Sequence, residues 1–283
     1  MKVGVDTYSY HRLFGEVYPN QLDPGRSWEF EQSIDEVIRL GVEGISLETC
    51  FMPAYSSDDL ARLRDKLDKH GLDRVVAWGH PDGLEGGQNT DAAKEMESHL
   101  STATALGASV MRIVGGSLMF RDEPHGPQID RISAILRESV KRAEESGVRL
   151  AIENHIDFTA DEILEIIDNV GSDFLGVNFD TGNTLRVFED PVIAAEKLAK
   201  VTLATHVKDI DPGFGSPTDW TFWASAPAGD GIINLPGVIQ ALRSGGYDGM
   251  LCIEIDFLKD PHRDETVAVS EAVQHLRELL KQE

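Results

Sequence analysis

Short runs of apolar, mostly β-branched residues alternate along this chain with longer stretches of helical periodicity. Eight such pairs follow one another, which is typical of βαβ units and a parallel sheet. At 283 residues the repeat suits one (β/α)8 barrel, a fold that typically needs about 250 residues. We therefore predict an α/β protein with a single TIM-barrel domain. The predicted strands cover residues 2–8, 44–50, 74–79, 110–116, 149–155, 175–183, 201–209 and 249–256.

Composition excludes several classes of partner. With 49 acidic against 26 basic residues, the formal charge of −23 repels a phosphate backbone, so no nucleic-acid partner is expected. The chain has neither a signal-peptide apolar block at its start nor a run of apolar residues long enough for a membrane span. Cys50 and Cys252 lie in apolar strand-like runs without metal-type spacing, which predicts buried, reduced thiols and a cytoplasmic protein.

Polar residues end four consecutive predicted strands. In a (β/α)8 barrel those carboxyl ends converge on one mouth, which holds the active site in this fold. Taken singly, such a residue is more often a salt-bridged strand end than a ligand, but the set has no such explanation. Three converging carboxylates need a cation to stay ionised, and this donor set suits Mn, Mg or Co, with Zn also open. The four residues are Glu153, Asp180, His206 and Glu254.

The segments around these residues carry a family resemblance. "IENH", "VNFDTGN", "THVKD" and "IEID", in this order and at barrel-strand spacing, resemble the sugar phosphate isomerase/epimerase superfamily with a xylose isomerase-like TIM barrel. Its members include ketose 3-epimerases, hydroxypyruvate isomerases, inosose isomerases and dehydratases, 3-dehydroshikimate dehydratases and, more distantly, endonuclease IV. The resemblance implies one such domain over residues 1–283. It also implies that Glu153, Asp180, His206 and Glu254 bind one divalent ion, with manganese the leading candidate.

Two positions depart from the pattern of the superfamily. Ketose 3-epimerases and endonuclease IV have histidine three residues after the strand-six aspartate, where this chain has Asn183, so a multinuclear zinc site loses a ligand. Ketose 3-epimerases also have arginine six residues after the strand-seven histidine, where this chain has Pro212. A standard ketose epimerase substrate is therefore in doubt. Lys208 and Asp209 are candidates for part of the arginine's role, or else a structural pair at the end of a strand.

The expected chemistry follows from the metal. A divalent ion chelated by a carbonyl and its neighbouring hydroxyl acidifies the C–H bond between them by stabilising an enediolate. Glu153 and Glu254 are the predicted catalytic base and acid, as in related enzymes. The leading function is a metal-dependent isomerase or epimerase acting on a keto-sugar or related polyol carbonyl compound. The alternative is a lyase that eliminates water or an aglycone from a 3-keto sugar, inosose or 3-keto glycoside at the same metal site.

Two readings from other classes are less favoured. A noncatalytic sugar-binding barrel would not need the intact metal set. A DNA-repair nuclease conflicts with the charge of −23 and with Asn183. We therefore expect the protein to bind a small-molecule carbohydrate. We also expect it to form a homo-oligomer, in which the sequence leaves open whether the partner subunit contributes to the site.

Further residues are candidates for substrate contact near the barrel mouth, and Asp6 and Tyr8 on the first strand are the weaker ones. Arg112, on the fourth strand, either pairs with Glu48 or holds substrate hydroxyls, whereas Trp78 is expected to pack. The long segment 211–234, with aromatic residues Trp220, Phe222 and Trp223, is predicted to form a lid or an interface. Its "GDGIIN" turn offers backbone amides that could bind an anion. The predicted substrate contacts are His80, Arg112, His155, Asn183, Lys208 and Trp223.

Overall fold

The computed structural model describes residues 1–213 and 223–281. Eight of the strands in these residues form one parallel sheet, and they neighbour one another in chain order. The sheet closes between the seventh and the last of them, where the amide of Val207 donates to the carbonyl of Cys252 at 2.7 Å. The predicted (β/α)8 barrel is therefore confirmed. Its strands are β1 Lys2–Asp6, β2 Gly44–Glu48, β3 Asp73–Ala77, β4 Val110–Val114, β5 Arg149–Glu153, β6 Leu175–Asp180, β7 Thr202–His206 and β10 Met250–Ile253, while β8 Asp209–Asp211 and β9 Ala224–Ala226 form a separate antiparallel ribbon.

Helices surround the barrel and start and stop at local signals. Ser56 and Thr159 cap two of them with reciprocal side-chain to backbone hydrogen bonds. Gly107 and Gly147 end two others in the left-handed conformation that glycine adopts without a Cβ clash. The helices are α1 Phe30–Leu40, α2 Ser57–Lys69, α3 Thr90–Leu106, α4 His125–Ser146, α5 Ala160–Val170, α6 Pro191–Leu198, α7 Leu235–Ser244 and α8 Glu265–Lys281. Within residues 1–213 and 223–281, no helix combines the length and apolar character that a membrane span requires.

The inside of the barrel is apolar at one end and polar at the other. Alternate strand residues pack outward against the helices in the main core, and a second apolar cluster contains Val75, Ala151 and Met250. Met250 needs the space left by Gly4 and Gly44, because a Cβ at either glycine would lie 2.2 Å from its sulfur. Polar residues are buried instead toward the carboxyl ends of the strands. This division leaves the barrel mouth for chemistry.

The strands end two or more residues earlier than the sequence pattern predicts. The first predicted strand, 2–8, stops at Asp6 because its carboxylate accepts a hydrogen bond from the amide of Tyr8 and starts a 3₁₀ helix. Similarly, the 175–183 prediction stops at Asp180, which accepts from the amides of Gly182 and Asn183 at 2.8 and 2.9 Å. Acidic strand ends therefore terminate the strands as well as facing the mouth.

The 211–234 segment contains regular secondary structure and is not simply a long loop. Its first residue belongs to β8, which pairs with β9, whereas residues 214–222, with Trp220 and Phe222, lie outside the described residues. The amides of the "GDGIIN" turn do bind an anion, but it is the carboxylate of Asp209, which accepts from Gly229, Gly231 and Ile233 at 2.9 to 3.0 Å. Of the two options that the sequence leaves open for Asp209, the structure therefore shows the structural one.

One cysteine also departs from expectation. Cys252 is buried as predicted, but Cys50 is exposed. It follows the early end of β2, in a short 3₁₀ helix at the barrel mouth, rather than continuing the strand. The early strand end thus moves this thiol out of the core.

Candidate metal centre and active site

The four predicted metal ligands converge at the barrel mouth. Glu153, Asp180 and His206 are the last residues of β5, β6 and β7, and Glu254 directly follows β10. All four are at most 4 % exposed. Ligand atoms of the first three lie within 4.8 Å of one another. Glu254 is outside that group, but its Oε2 lies 2.5 Å from His206 Nδ1.

The buried atoms of this cluster fit a divalent ion. Asp180 Oδ2, His206 Nδ1 and Glu254 Oε2 are buried and make no regular hydrogen bond. Leaving buried acceptors unsatisfied costs about 1–3 kcal/mol each. Carboxylate oxygens with one imidazole nitrogen form a donor set suited to Mn, Mg, Co or Zn. A metal centre would therefore give regular partners to atoms that make only ion-pair contacts with one another and with Lys208.

Two buried cations share this negative charge. Arg112 contacts the Glu153 carboxylate through Nε, and its Nη1 lies 3.5 Å from Glu48 Oε1. Lys208 Nζ lies 3.2 Å from Asp180 Oδ2 and 3.4 Å from Glu254 Oε1. The pairing of Arg112 with Glu48, one of the two options left open by the sequence, is therefore present.

Charge and burial compete in setting the ionisation of the cluster. Burial alone would raise the pKa of Glu153, but Arg112 and His206 outweigh it and hold that pKa well below its usual range. Burial lowers the pKa of His206, but Glu254 and Glu153 outweigh it and raise that pKa well above its usual range. For Asp180, burial dominates and raises the pKa. In the absence of a metal, the cluster therefore favours a charged imidazole between carboxylates.

Neighbouring polar side chains orient the ligands. Asp6 Oδ2 lies 3.2 Å from His206 Nε2, on the far side of the ring from Nδ1. A carboxylate there favours the tautomer with the proton on Nε2, which leaves Nδ1 free to bind a metal. Asn183 Nδ2 donates to Glu153 Oε1 at 2.9 Å. The residue that replaces the expected histidine therefore positions a carboxylate.

A cavity of about 290 Å³ opens over this cluster. Glu153 and Glu254 reach its wall, and so do all six residues predicted to contact substrate. Burial lowers the pKa of one of these, His155, to about 4, so its ring is neutral at pH 7. Its Nδ1 lies 3.3 Å from the carbonyl oxygen of Gly116. The other ring nitrogen is then a hydrogen-bond acceptor. The six residues are His80, Arg112, His155, Asn183, Lys208 and Trp223.

Comparison with known proteins identifies the family of this barrel. Residues 34–279 match the family model described as the xylose isomerase-like TIM barrel. The protein belongs to this family. Among characterised relatives, 3-oxo-isoapionate decarboxylase of Pectobacterium atrosepticum is 24% identical over 245 residues, covering 86% of this chain and 81% of its own. An inosose dehydratase of Lacticaseibacillus casei is 25% identical over 264 residues, covering 84% of this chain and 85% of its own.

Solved structures of xylose isomerase-like barrels share the fold. A structure of L-ribulose 3-epimerase superposes with a TM-score of 0.75 at 17% identity, covering 99% of this chain and 95% of the other. A structure of the IolI protein with a bound zinc atom gives a TM-score of 0.76 at 16% identity, covering 100% of this chain and 99% of the other. At such identities the likeness shows the fold alone. The match to the family model, and not this likeness, confirms the family expected from the four sequence segments.

Several residues of this xylose isomerase-like site had no clear signal in the sequence. Tyr18 and Phe257 form an aromatic wall of the cavity with Tyr8, itself a weaker candidate in the sequence, and the two tyrosine hydroxyls contact each other. The Tyr18 ring packs edge-on against Phe257 with centroids 6.5 Å apart. Asp256 lines the cavity beside Lys208 at 3.1 Å. The first and last strands are distant in sequence, and only closure of the barrel brings these residues together.

One weaker candidate from the sequence proved central. Asp6, a weaker candidate on the first strand, is fully buried against His206. The usable signal was its position, because it ends a strand at the same mouth as the four ligands. Trp78, expected to pack, is fully buried and donates from Nε1 to Glu95 at 2.7 Å. His80 stacks on it with ring centroids 5.1 Å apart.

Proposed function

We propose that this protein is a divalent-metal-dependent enzyme that isomerises or epimerises a keto-sugar or related polyol carbonyl compound. The observation that carries the proposal is the set of buried ligand atoms that make no regular hydrogen bond, under a cavity of about 290 Å³. A relative named inosose dehydratase and a structural neighbour named L-ribulose 3-epimerase support a small polyol substrate. A second candidate is a lyase that eliminates water or an aglycone at the same site, and the relative's name supports the loss of water.

The ligands proposed for the metal are Glu153, Asp180, His206 and Glu254. Their oxygen-rich donor set makes manganese the leading candidate, with Mg, Co and Zn as alternatives. When bound, a divalent ion supplies a Lewis acid that stabilises negative charge developing on the carbonyl and adjacent hydroxyl oxygens of the substrate. Homo-oligomerisation and a cytoplasmic location remain predictions.

Glu153 and Glu254 are the proposed proton-transfer groups. They lie at the ends of β5 and β10 and both reach the cavity. Arg112 and Asn183 fix the Glu153 carboxylate, whereas Lys208 lies near that of Glu254. One glutamate removes the proton from the carbon beside the carbonyl and the other returns a proton. Return to the adjacent carbon isomerises the substrate, return to the opposite face epimerises it, and loss of a β-substituent instead gives elimination.

Other cavity residues orient the substrate in this proposal. Burial lowers the pKa of Lys208, but Asp180 and Asp256 outweigh it and keep that pKa well above its usual range, so the ammonium group donates. The neutral ring of His155 offers an acceptor to a substrate hydroxyl. His80 and Trp223 close the cavity wall around the carbon skeleton. The cavity thus offers both hydrogen-bond donors and hydrogen-bond acceptors to the hydroxyl groups of a polyol.

A metal and isotope experiment tests the proposal. Protein stripped by a chelator is reloaded with Mn²⁺ and assayed on keto-sugars and inososes in deuterated water. We expect activity to depend on the metal and the carbon beside the carbonyl to acquire deuterium. Glu153→Gln and Glu254→Gln should lose turnover more completely than metal, because an amide oxygen still binds but does not accept a proton.

Two further results are decisive for this test. His206→Ala should lose about one bound ion per chain, whereas His70→Ala, which changes an exposed histidine at the end of α2, should keep it. Unchanged metal content in His206→Ala would refute the ligand assignment. Product that retains its own hydrogen and gains no deuterium would refute proton transfer even with the metal confirmed.

A further inference from the structure

The cations of the cavity are paired with protein carboxylates, so their charge is already balanced before an anionic ligand arrives. Lys208 Nζ lies 3.1 Å from Asp256 Oδ1, in addition to its contacts with Asp180 and Glu254. Arg112 contacts Glu153, and its Nη1 donates to the carbonyl oxygen of Trp78 at 3.2 Å. Recognition of a phosphate or carboxylate normally uses an Arg or Lys that is available to make charge-assisted hydrogen bonds to it. The two cations nearest the cluster are already engaged.

The third cation of the cavity wall is also surrounded by protein. Arg186 is buried, with 9 % of its surface exposed. Its charge acts on Asp256 and on His155, lowering the pKa of both. Arg186 also has an interaction partner within the protein. Each cation that lines the cavity, among the described residues, thus interacts with charged or polar groups of the protein.

The charge balance of the described cavity has no positive surplus. Five carboxylates line it against three cations, and Asp180 lies directly behind. A divalent ion at the proposed centre would bring the positive charges to five against six carboxylates. Burial raises the pKa of Glu48. If Glu48 holds a proton, the positive and negative charges become equal in number, and there is still no positive excess. The five lining carboxylates are Glu16, Glu48, Glu153, Glu254 and Asp256, and the three cations are Arg112, Arg186 and Lys208.

We infer that the substrate is an uncharged polyol ketone rather than a sugar phosphate or sugar acid, and that Asp256 determines this preference. The inference rests on the proposed function and narrows its substrate class. Asp256 is the one Lys208 partner described that is not also a proposed metal ligand. It therefore keeps Lys208 occupied when Asp180 and Glu254 hold a metal. Its side chain is 28% exposed at the cavity wall, where it repels an incoming anion.

Matched ligands test this preference on the metal-loaded protein. D-Fructose is compared with D-fructuronate and with D-fructose 6-phosphate, which carry an anionic group at the end of the chain far from the carbonyl. Calorimetry should show fructose binding at least roughly tenfold more tightly than either anion, as expected for uncompensated charge at short range in a partly buried site. Raising the salt concentration should tighten binding of the anions and leave that of fructose unchanged, because salt screens the repulsion.

Two isosteric variants separate Asp256 from the overall charge of the protein. Asp256→Asn releases Lys208 and should narrow the fructose-to-anion ratio by roughly tenfold. Asp73→Asn makes the same change in net charge at the opposite end of the barrel, where Asp73 pairs with Lys2, and should leave the ratio as in the parent. If Asp256→Asn does not fold, the salt dependence of the parent still decides the sign of the interaction.

Three outcomes overturn the inference: an anion that binds the parent as tightly as fructose, anion binding that weakens as salt is added, or an equal change of ratio in both variants. Failure of the proposed function looks different. Fructose that binds preferentially, while no neutral ketone is turned over or exchanges deuterium, refutes the enzyme proposal and supports the charge preference. A sugar phosphate turned over with deuterium uptake supports the enzyme proposal and overturns the charge preference.

Discussion

Replacing Asp6 by asparagine isolates the residue that orients the central histidine. Asp6 Oδ2 lies 3.2 Å from His206 Nε2, and both side chains are at most 1% exposed. Asparagine keeps the shape and can keep the oxygen that accepts from the amide of Tyr8 at 2.6 Å. The amide NH₂ then faces Nε2, and it favours the tautomer that carries the proton on Nδ1. Nδ1 is the proposed metal ligand, so the form that binds metal is the one with its proton on Nε2, and in the variant this form loses the carboxylate that favours it.

The expected loss of metal affinity follows from the contact that is removed, between Asp6 and the ring of His206. Losing the hydrogen-bond partner of a ligating histidine typically lowers metal affinity by about 10- to 100-fold, which equals about 1.4–2.8 kcal/mol. The free energy of unfolding of the metal-free protein should change less, because the turn after β1 keeps its cap. Metal affinity is measured by competition with a fluorescent chelator, and unfolding by urea titration followed by circular dichroism.

Asp157→Asn provides the matched control. Asp157 is a carboxyl at the same mouth, 2% exposed, whose Oδ1 accepts from the amide of Phe158. The substitution makes the same isosteric change at a buried carboxyl, whose pKa burial raises to about 7, and its structural contacts are with the loop after β5 and not with His206. Its metal affinity should stay within about twofold of the parent, well below the loss expected at a ligand's partner. Equal affinity in Asp6→Asn and the parent, with both folded, would refute the orienting role.

Two further predictions concern stability. Gly231→Ala places a Cβ 2.1 Å from the carboxylate oxygen of Asp209 and should lower the free energy of unfolding in urea by about 2–4 kcal/mol, since displaced amides lose a buried acceptor. The control is Gly126→Ala, which has open space around the new Cβ and should change the free energy of unfolding little. Equal stabilities of the two variants would contradict the clash. His125 lies 2.6 Å from Glu162, and although burial lowers its pKa, a backbone carbonyl and Glu162 outweigh it and raise that pKa. The stabilisation by His125 is thus complete below about pH 6.5 and disappears as pH rises through the raised pKa. His125→Gln should cost more stability at pH 5.5 than at pH 9, by less than about 1 kcal/mol for such a partly exposed pair, and a cost independent of pH would refute it.

The sequence by itself determined the order of elements and the residues at the floor of the site. Alternating apolar and amphipathic segments predict the barrel, because each strand must be buried on both faces and each helix on one. Buried carboxylates at the ends of consecutive strands predict convergence, because parallel strands share one carboxyl edge. Glu153, Asp180 and His206 follow from this reasoning, and the structure brings them together.

Only the tertiary structure decided where strands stop and which groups meet across the mouth. Strand ends depend on side-chain capping of the next turn, as at Asp180, and the apolar pattern does not report such hydrogen bonds. The pairing of Asp6 with His206 depends on β10 lying between β1 and β7, and that of Asp256 with Lys208 depends on closure of β10 against β7. A carboxylate's partner is set by distance in space, so its role, as ligand, orienting group or counter-charge, is fixed only once the barrel has closed.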